Sequence, residues 1–316
     1  MIVAFFIITG CIVVCISFTA KIDRSIASNF NAKGKLTPVS GGRVHWTVQG
    51  NSNGPSLICI HGLLGNSDNF YALTKHLEKT YTVYCVDRPG SGFSRRAPET
   101  SASFETQSAM LLEWMTKEGI DSAFLVGHSM GGGVALRMAI DAPNKIKSVS
   151  LLCPLTTPLK KGAGPLSMLY IPNEIVRNVL SKTIASPIRV KVGKKQTREI
   201  FSPEPVPPSF AIAGGGLLGI HSRSFYEGSK DTVSAQGSLF RQEKRYSEIR
   251  CPVGILYGEK DRILDPTQHS SAVTSKIPHA KSKLINNAGH MIPITQPLVC
   301  AEFINAINKS TALLND

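Results

Sequence analysis

Short apolar runs broken by glycine-marked polar loops set the rhythm of this chain. Leu57–Ile60, Phe124–Val126, Val149–Cys153 and Val253–Tyr257 are each apolar enough to be buried strands, and Lys283–Ile285 opens a further strand near the C-terminus. The breaks after them are distinctive. Ile60 runs into His61-Gly62-Leu63-Leu64-Gly65, and Val126 into Gly127-His128-Ser129-Met130-Gly131 and a helix-like stretch ending near Ala142. Tyr257 is followed by Gly258-Glu-Lys-Asp261, and Ile285 by Asn-Asn-Ala-Gly289-His290. About one hundred residues separate the strand ending at Cys153 from the one starting at Val253, far more than an ordinary connection needs. That stretch, about 155–250 and proline-marked at its ends, predicts a cap over a site.

The other unusual segment is the N-terminus. Met1 to Ala20 holds no charged side chain and is rich in Ile, Val, Phe, Cys and Ala, before Lys21, Asp23 and Arg24 stop it. At about 1.5 Å per residue such a helix could cross a bilayer. Residues 1–24 are therefore expected to be a hydrophobic anchor. A cleaved secretory signal and a buried helix are the competing readings, although no Lys or Arg precedes the apolar run and no clean cleavage site precedes Lys21. Lys21, Arg24, Lys33 and Lys35 follow the run, and the positive-inside tendency then keeps the domain on the cytoplasmic face. A cleaved signal would place it outside, secreted or periplasmic.

The chemistry concentrates at Gly127-His128-Ser129-Met130-Gly131. A strand that enters Gly-x-Ser-x-Gly and leaves as a helix makes a sharp turn with the serine in a strained conformation, and glycines two residues either side leave room for the crossing backbone. Ser129 is the candidate nucleophile. A plain glycine-rich turn, or a degenerate dinucleotide loop, is the alternative, but the spacing is not Gly-x-Gly-x-x-Gly. Serine needs a base held in one tautomer, and the later breaks supply Asp261 and His290 in the order nucleophile, acid, base. Asp265 is the rival acid, but it precedes Pro266 and reads as a helix start. The loop at His61 would carry one backbone donor for a developing oxyanion, the N–H of Leu63, and the N–H of Met130 the second. His61 itself reads as a structural hydrogen-bonder more than as a base.

These motifs, with Asp87-Arg88-Pro89-Gly90-Ser91-Gly92-Phe93-Ser94, make the chain resemble the α/β-hydrolase superfamily over roughly residues 40 to 310. The resemblance implies an eight-stranded, mostly parallel sheet flanked by helices, with an inserted cap and the site at the carboxyl ends of the strands. It also implies that the loop from Asp87 to Ser94 is structural. Family members with an aspartate at the elbow displace halide or open epoxides. Serine here points instead to a carboxylesterase or lipase, with carbon–carbon bond hydrolase, lactonase, amidase or perhydrolase chemistry open on the same triad. A non-enzymatic receptor or scaffold on the fold is the alternative from another class. The expected substrate is a small ester with an apolar acyl or alcohol part, and no cofactor or metal is called for.

Within the cap, Met168, Leu169, Tyr170, Leu217, Leu218 and Phe225 are candidate pocket walls, or else the cap's own core. The cap also carries Lys160-Lys161 and a basic run from Arg189 to Arg198. The net charge is +13. With no interleaved aromatics and no recognition module it does not indicate nucleic acid, so a membrane surface or a generally basic exterior remains. Of the seven cysteines, Cys11 and Cys15 fall in the apolar segment, and Cys59, Cys85, Cys153, Cys251 and Cys300 read as buried thiols without metal-ligand spacing. Residues 36–316 are expected to form a single catalytic domain.

Overall fold

Alternating strands and helices bury a long sheet between helical layers. The computed structural model describes residues 2–159 and 167–311, the side chains of residues 2–8 and of Ser167 excepted. The strands are β1 (Lys35–Val39), β2 (Gly42–Gly50), β3 (Ser56–Ile60), β4 (Thr82–Val86), β5 (Arg95–Arg96), β6 (Ala123–His128), β7 (Ile146–Leu152), β8 (Val253–Gly258) and β9 (Lys281–Ile285). They lie in the order β1-β2-β4-β3-β6-β7-β8-β9, with β5 paired to β2. β1, β2 and β5 are joined by antiparallel pairings, as are β2 and β4, while every pairing from β4 to β9 is parallel. The sheet therefore has nine strands where eight were expected. The extra one is a two-residue rung, Gly42 and Arg43 opposite Arg96 and Arg95, too short to leave an alternation in the sequence.

The apolar runs are strands because both of their faces are covered. β3, β6 and β8 are buried over almost their whole length, as parallel strands under helices must be. Helices α2 (Phe104–Lys117), α3 (Met130–Asp141), α7 (Pro266–Thr274), α8 (Ile292–Thr295) and α9 (Pro297–Lys309) surround the sheet. One contiguous core joins Trp46, Phe104, Trp114, Leu136, Tyr257 and Ile304 across both faces. Because β3, β6, β7 and β8 are parallel neighbours, the loops after them emerge along one edge, where open α/β sheets carry their sites.

The insertion between β7 and β8 is helical: α4 (Glu174–Leu180), a π turn at Ser181–Ala185, α5 (Ser186–Phe201), short 3-10 turns at Pro208–Ala211 and Gly216–Ile220, then α6 (Ser222–Gln242). Its Lys160-Lys161 lies outside the described residues. The cap is fastened to the sheet by charge. Asp231 of α6 sits between Arg88 (2.8 Å) and Arg96 (2.7 Å), with all three side chains buried.

The N-terminus is engaged on the cap. It forms one helix, α1 (Ile2–Asn29), but among the described residues no helix is long and apolar enough to cross a membrane. The helix's later turns are engaged on the cap. Thr19 Oγ1 donates to Thr183 O (2.5 Å), Asp23 accepts from the Ser222 N–H (2.9 Å) and from its hydroxyl, and Ile26 is buried.

Candidate functional site

β6 delivers Ser129 at the turn into α3 with φ +53° and ψ −122°, a conformation that costs a non-glycine residue on the order of 1–3 kcal/mol and persists only where the surroundings enforce it. Packing enforces it here. A Cβ on Gly131 would stand 2.1 Å from Ile60 O, and one on Gly127 2.6 Å from the Gly132 Cα. Only glycine allows strand, elbow and helix to approach so closely.

The loop after β8 holds Asp261, and the loop after β9 holds His290. His290 Nδ1 lies 2.7 Å from Asp261 Oδ2, while Oδ1 accepts the N–H groups of Ile263 (2.8 Å) and Leu264 (3.0 Å). The carboxylate is thus fixed on both oxygens. Burial alone would push its pKa up, but the His290 charge and hydrogen bond and the two backbone donors hold it below the usual carboxylate range. With Nδ1 committed to the carboxylate as donor, Nε2 is the nitrogen left to accept a proton. Asp265 does different work: it caps α7, accepting from Gln268 N at 2.8 Å. The buried Cys153 thiol lies with the Asp261 carboxylate and the His290 ring within 4.8 Å. Burial raises its pKa well above the ordinary thiol value, so the thiol keeps its proton at neutral pH.

Ser129 and His290 line one cavity of about 120 Å³, together with Gly62, Leu63 and Gly65. A Cβ on Gly62 would come within 2.8 Å of the Ser129 Cβ, so the loop after β3 lies directly against the serine. The N–H groups of Leu63 and Met130 have no acceptor among the described residues, and that of Met130 also opens a helix whose dipole favours negative charge. His61 is tied into the framework. Its Nε2 accepts from Arg88 N (2.9 Å) and its Nδ1 faces Gly62 O (2.7 Å), and burial, then the Arg88 charge, lower its pKa to about 4. Both nitrogens are spent, which leaves the imidazole neutral and unable to act as a base. Asp87 is equally occupied: it accepts from Ser67 N (2.6 Å) and Phe93 N (2.7 Å) and pairs with His45 (2.8 Å).

The pocket wall differs from expectation. None of Met168, Leu169, Tyr170, Leu217, Leu218 and Phe225 lines the cavity at Ser129. Leu169 and Phe225 form a small apolar core inside the cap with Ala185, Leu218 is buried, Met168 and Tyr170 are exposed, and Leu217 lines an adjoining cavity. Apolar residues in a cap serve equally as core or wall, and hydrophobicity does not tell the two apart. The wall comes instead from one face of α5. Arg189, Gly193, Thr197 and Ile200 recur at steps of four, four and three, so they share a side of the helix, and all line one or both of the two cavities. That periodicity was available in the sequence, hidden inside a run that reads only as basic.

Comparison with known proteins follows this geometry. A family model for the α/β hydrolase fold matches residues 55–297. A carboxylesterase, nap, of Bacillus subtilis is 25% identical over 274 residues, covering 84% of each chain. The monoacylglycerol lipase ABHD6 of Homo sapiens is 24% identical, covering 79% of this chain and 74% of its own. A local match of 38% identity over 122 residues joins the chain to an acetyltransferase component of the acetoin cleaving system of Cupriavidus necator, and spans only 32% of that protein. Among solved structures, a bacterial membrane phospholipase A superposes with a TM-score of 0.66 at 19% identity, over 98% of this chain and 97% of its own. The chain belongs to the α/β-hydrolase fold family.

Proposed function

We propose that the protein hydrolyses carboxylic esters through an acyl-enzyme on Ser129, with His290 as the base and Asp261 as the acid that orients it. The observation that carries this reading is the His290–Asp261 pair at 2.7 Å, whose imidazole shares a cavity with a serine at a left-handed elbow. His290 Nε2 takes the hydroxyl proton as Ser129 Oγ attacks the acyl carbon. The oxyanion forms against the N–H groups of Leu63 and Met130, His290 returns the proton to the leaving alcohol, and water then repeats the sequence to free the acid. Asp261 keeps Nδ1 protonated throughout and stabilises the imidazolium. The apolar space beyond the serine, about 550 Å³, suits an acyl or alcohol part of several carbons. That substrate class agrees with the carboxylesterase and lipase names of the relatives.

A fluorophosphonate probe tests the reading directly, since only an activated serine reacts. Labelling of folded protein at Ser129, lost in His290→Ala, is the expected result. Folded protein that resists the probe would overturn it in favour of a scaffold role.

A further inference from the structure

Arg189 stands where two cavities meet. The space at Ser129 and the larger one beyond it share Leu64, Arg189, Thr197, Ile200, Phe210 and Gly216 in their walls. Besides Arg189, the larger one is lined by Lys194 and Arg198, and no carboxylate lines either. Among the described residues Arg189 has no hydrogen-bond acceptor and no carboxylate within salt-bridge distance, and its Nη1 is sealed from solvent. Burial alone, with no anion to offset it, pulls the guanidinium down to about 10. At neutral pH it is still charged. Its position is close to the reacting end, because the point where a Gly219 Cβ would sit lies 3.8 Å from Arg189 Nη2 and 3.1 Å from Leu64 O, in the loop that carries Leu63.

A cation withdrawn from water without a partner is costly, and a fold normally supplies the partner from its own chain. Here the described residues supply none, and Arg189 lines the space a substrate must fill. We propose that Arg189 binds an anionic group of the substrate, a carboxylate or a phosphate held within a few bonds of the scissile acyl carbon. The planar fork suits either anion, because both present two oxygens to it. The substrate is then an amphiphilic ester, with its charge at Arg189 and its apolar part in the larger cavity. This rests on the ester-hydrolase reading and narrows its substrate class.

The test uses the full-length protein and esters matched in length: 4-nitrophenyl hexanoate, mono-4-nitrophenyl adipate, and a phosphonate counterpart of the adipate. The quantity read is the ratio of kcat/KM for each anionic ester to that of the neutral one. Wild type should prefer an anionic ester, and Arg189→Gln should lower the ratio about 30-fold, with Arg189→Lys between them. Whichever anion loses more identifies the natural group. Equal loss on all three esters, or an unchanged ratio, overturns the proposal. A second readout does not need turnover: Ser129→Ala protein titrated calorimetrically with monomethyl adipate and with hexyl phosphate should bind at least one of them, and Ser129→Ala/Arg189→Gln neither. Equal binding by the two proteins, or none by the first, sinks the anion site. Absence of both ester turnover and Ser129 labelling would sink the hydrolase reading instead, while the titration still decides Arg189.

Discussion

Two arginines on either side of the site make the most instructive contrast in the molecule. Arg88, on the sheet side, is wholly buried and fully engaged: Nε donates to His61 O (3.0 Å), Nη1 to Gln107 (2.8 Å) and Asp231 (2.8 Å), and Nη2 to Gly62 O (3.2 Å). Arg189, on the cap side, has none of these partners among the described residues. The first holds the loop after β3 at a fixed distance from Ser129 and ties the cap helix α6 to it. The second leaves its hydrogen-bonding capacity to the cavity. A buried charge with partners belongs to the framework, and a half-buried one that lines a cavity without them signals a ligand.

The largest effects should come from the sheet side. Ser129→Ala and His290→Ala should each lower ester turnover by roughly four to six orders of magnitude with the fold intact, and the double variant should be little worse than either, because the groups act as a unit. Asp261→Asn should cost about 10⁴-fold by disturbing the imidazole tautomer. Asp265→Asn keeps the cap acceptor of α7, so it should cost only a few tenths of a kcal/mol of stability, on the order of a like-for-like cap exchange, and should leave turnover near wild type. Steady-state kinetics on the folded variants checks all five. Equal losses from the two aspartate variants would erase the distinction drawn between them.

The contrast between the arginines predicts stability changes of opposite sign. Asp231→Ala strips a buried carboxylate from Arg88 and Arg96 and should lower the unfolding free energy by about 3–5 kcal/mol. Arg189→Met keeps the apolar stem and removes an uncompensated charge, so it should raise stability by roughly 1 kcal/mol while harming selectivity. Urea unfolding of the two variants reads this directly. A loss of several kcal/mol in Arg189→Met would make that arginine structural and end the comparison.

What the sequence disclosed follows the same division. The elbow, the acid and base loops and the donor loop were legible because each is imposed by backbone geometry: glycines at close approach, and breaks directly after apolar strands. The capping role of Asp265 was legible too, since Pro266 betrays a helix start. Of the pocket wall only Leu217, in the larger cavity, was. Leu169 and Phe225 in the cap core and Thr197 and Ile200 in the wall differ in position, not in type, and helix packing within an insertion leaves no local mark. The contacts of the N-terminal helix left no mark for another reason. Hydropathy reports that a segment avoids water, but not that Thr19 and Asp23 find their partners on a neighbouring helix.

Buried histidines extend the contrast to pH. His61 and His269 are lowered to about 4 and His128 to about 3, burial being the main cause in each. A histidine depressed in the folded state stays neutral there while its unfolded counterpart binds a proton below about 6.5, so stability should fall as pH drops from about 6.5 towards 4. His45 works the other way. Burial lowers it, but the Asp87 hydrogen bond and charge raise it overall, so its contribution is present at low pH and lost as pH rises. Near pH 5 it is protonated in both states and offsets nothing, so unfolding there should take up close to three protons net from these groups, roughly one for each depressed histidine. Calorimetric unfolding in buffers of different ionisation enthalpy measures the uptake. None at all would mean that these imidazoles are not held neutral by the fold.

The smallest effect should come from α1, at the outer edge of the cap. Asp23 accepts the Ser222 N–H at the first turn of α6, the helix that also carries Asp231, so it tethers the N-terminal helix to the element that fixes the cap. The pair is partly exposed, and Asp23→Asn keeps the acceptor while removing the charge, so it should cost only about 0.5 kcal/mol and leave the kinetics of a short neutral ester near wild type. Asp23→Ala removes the acceptor as well and should cost about 1 kcal/mol, the usual worth of a helix cap. Hydrogen exchange can locate the loss. Faster exchange confined to the first turn of α6 and the last turns of α1 would support a local tether, whereas loosening that spread to Arg88 would show that the sheet side of the site depends on the N-terminal helix.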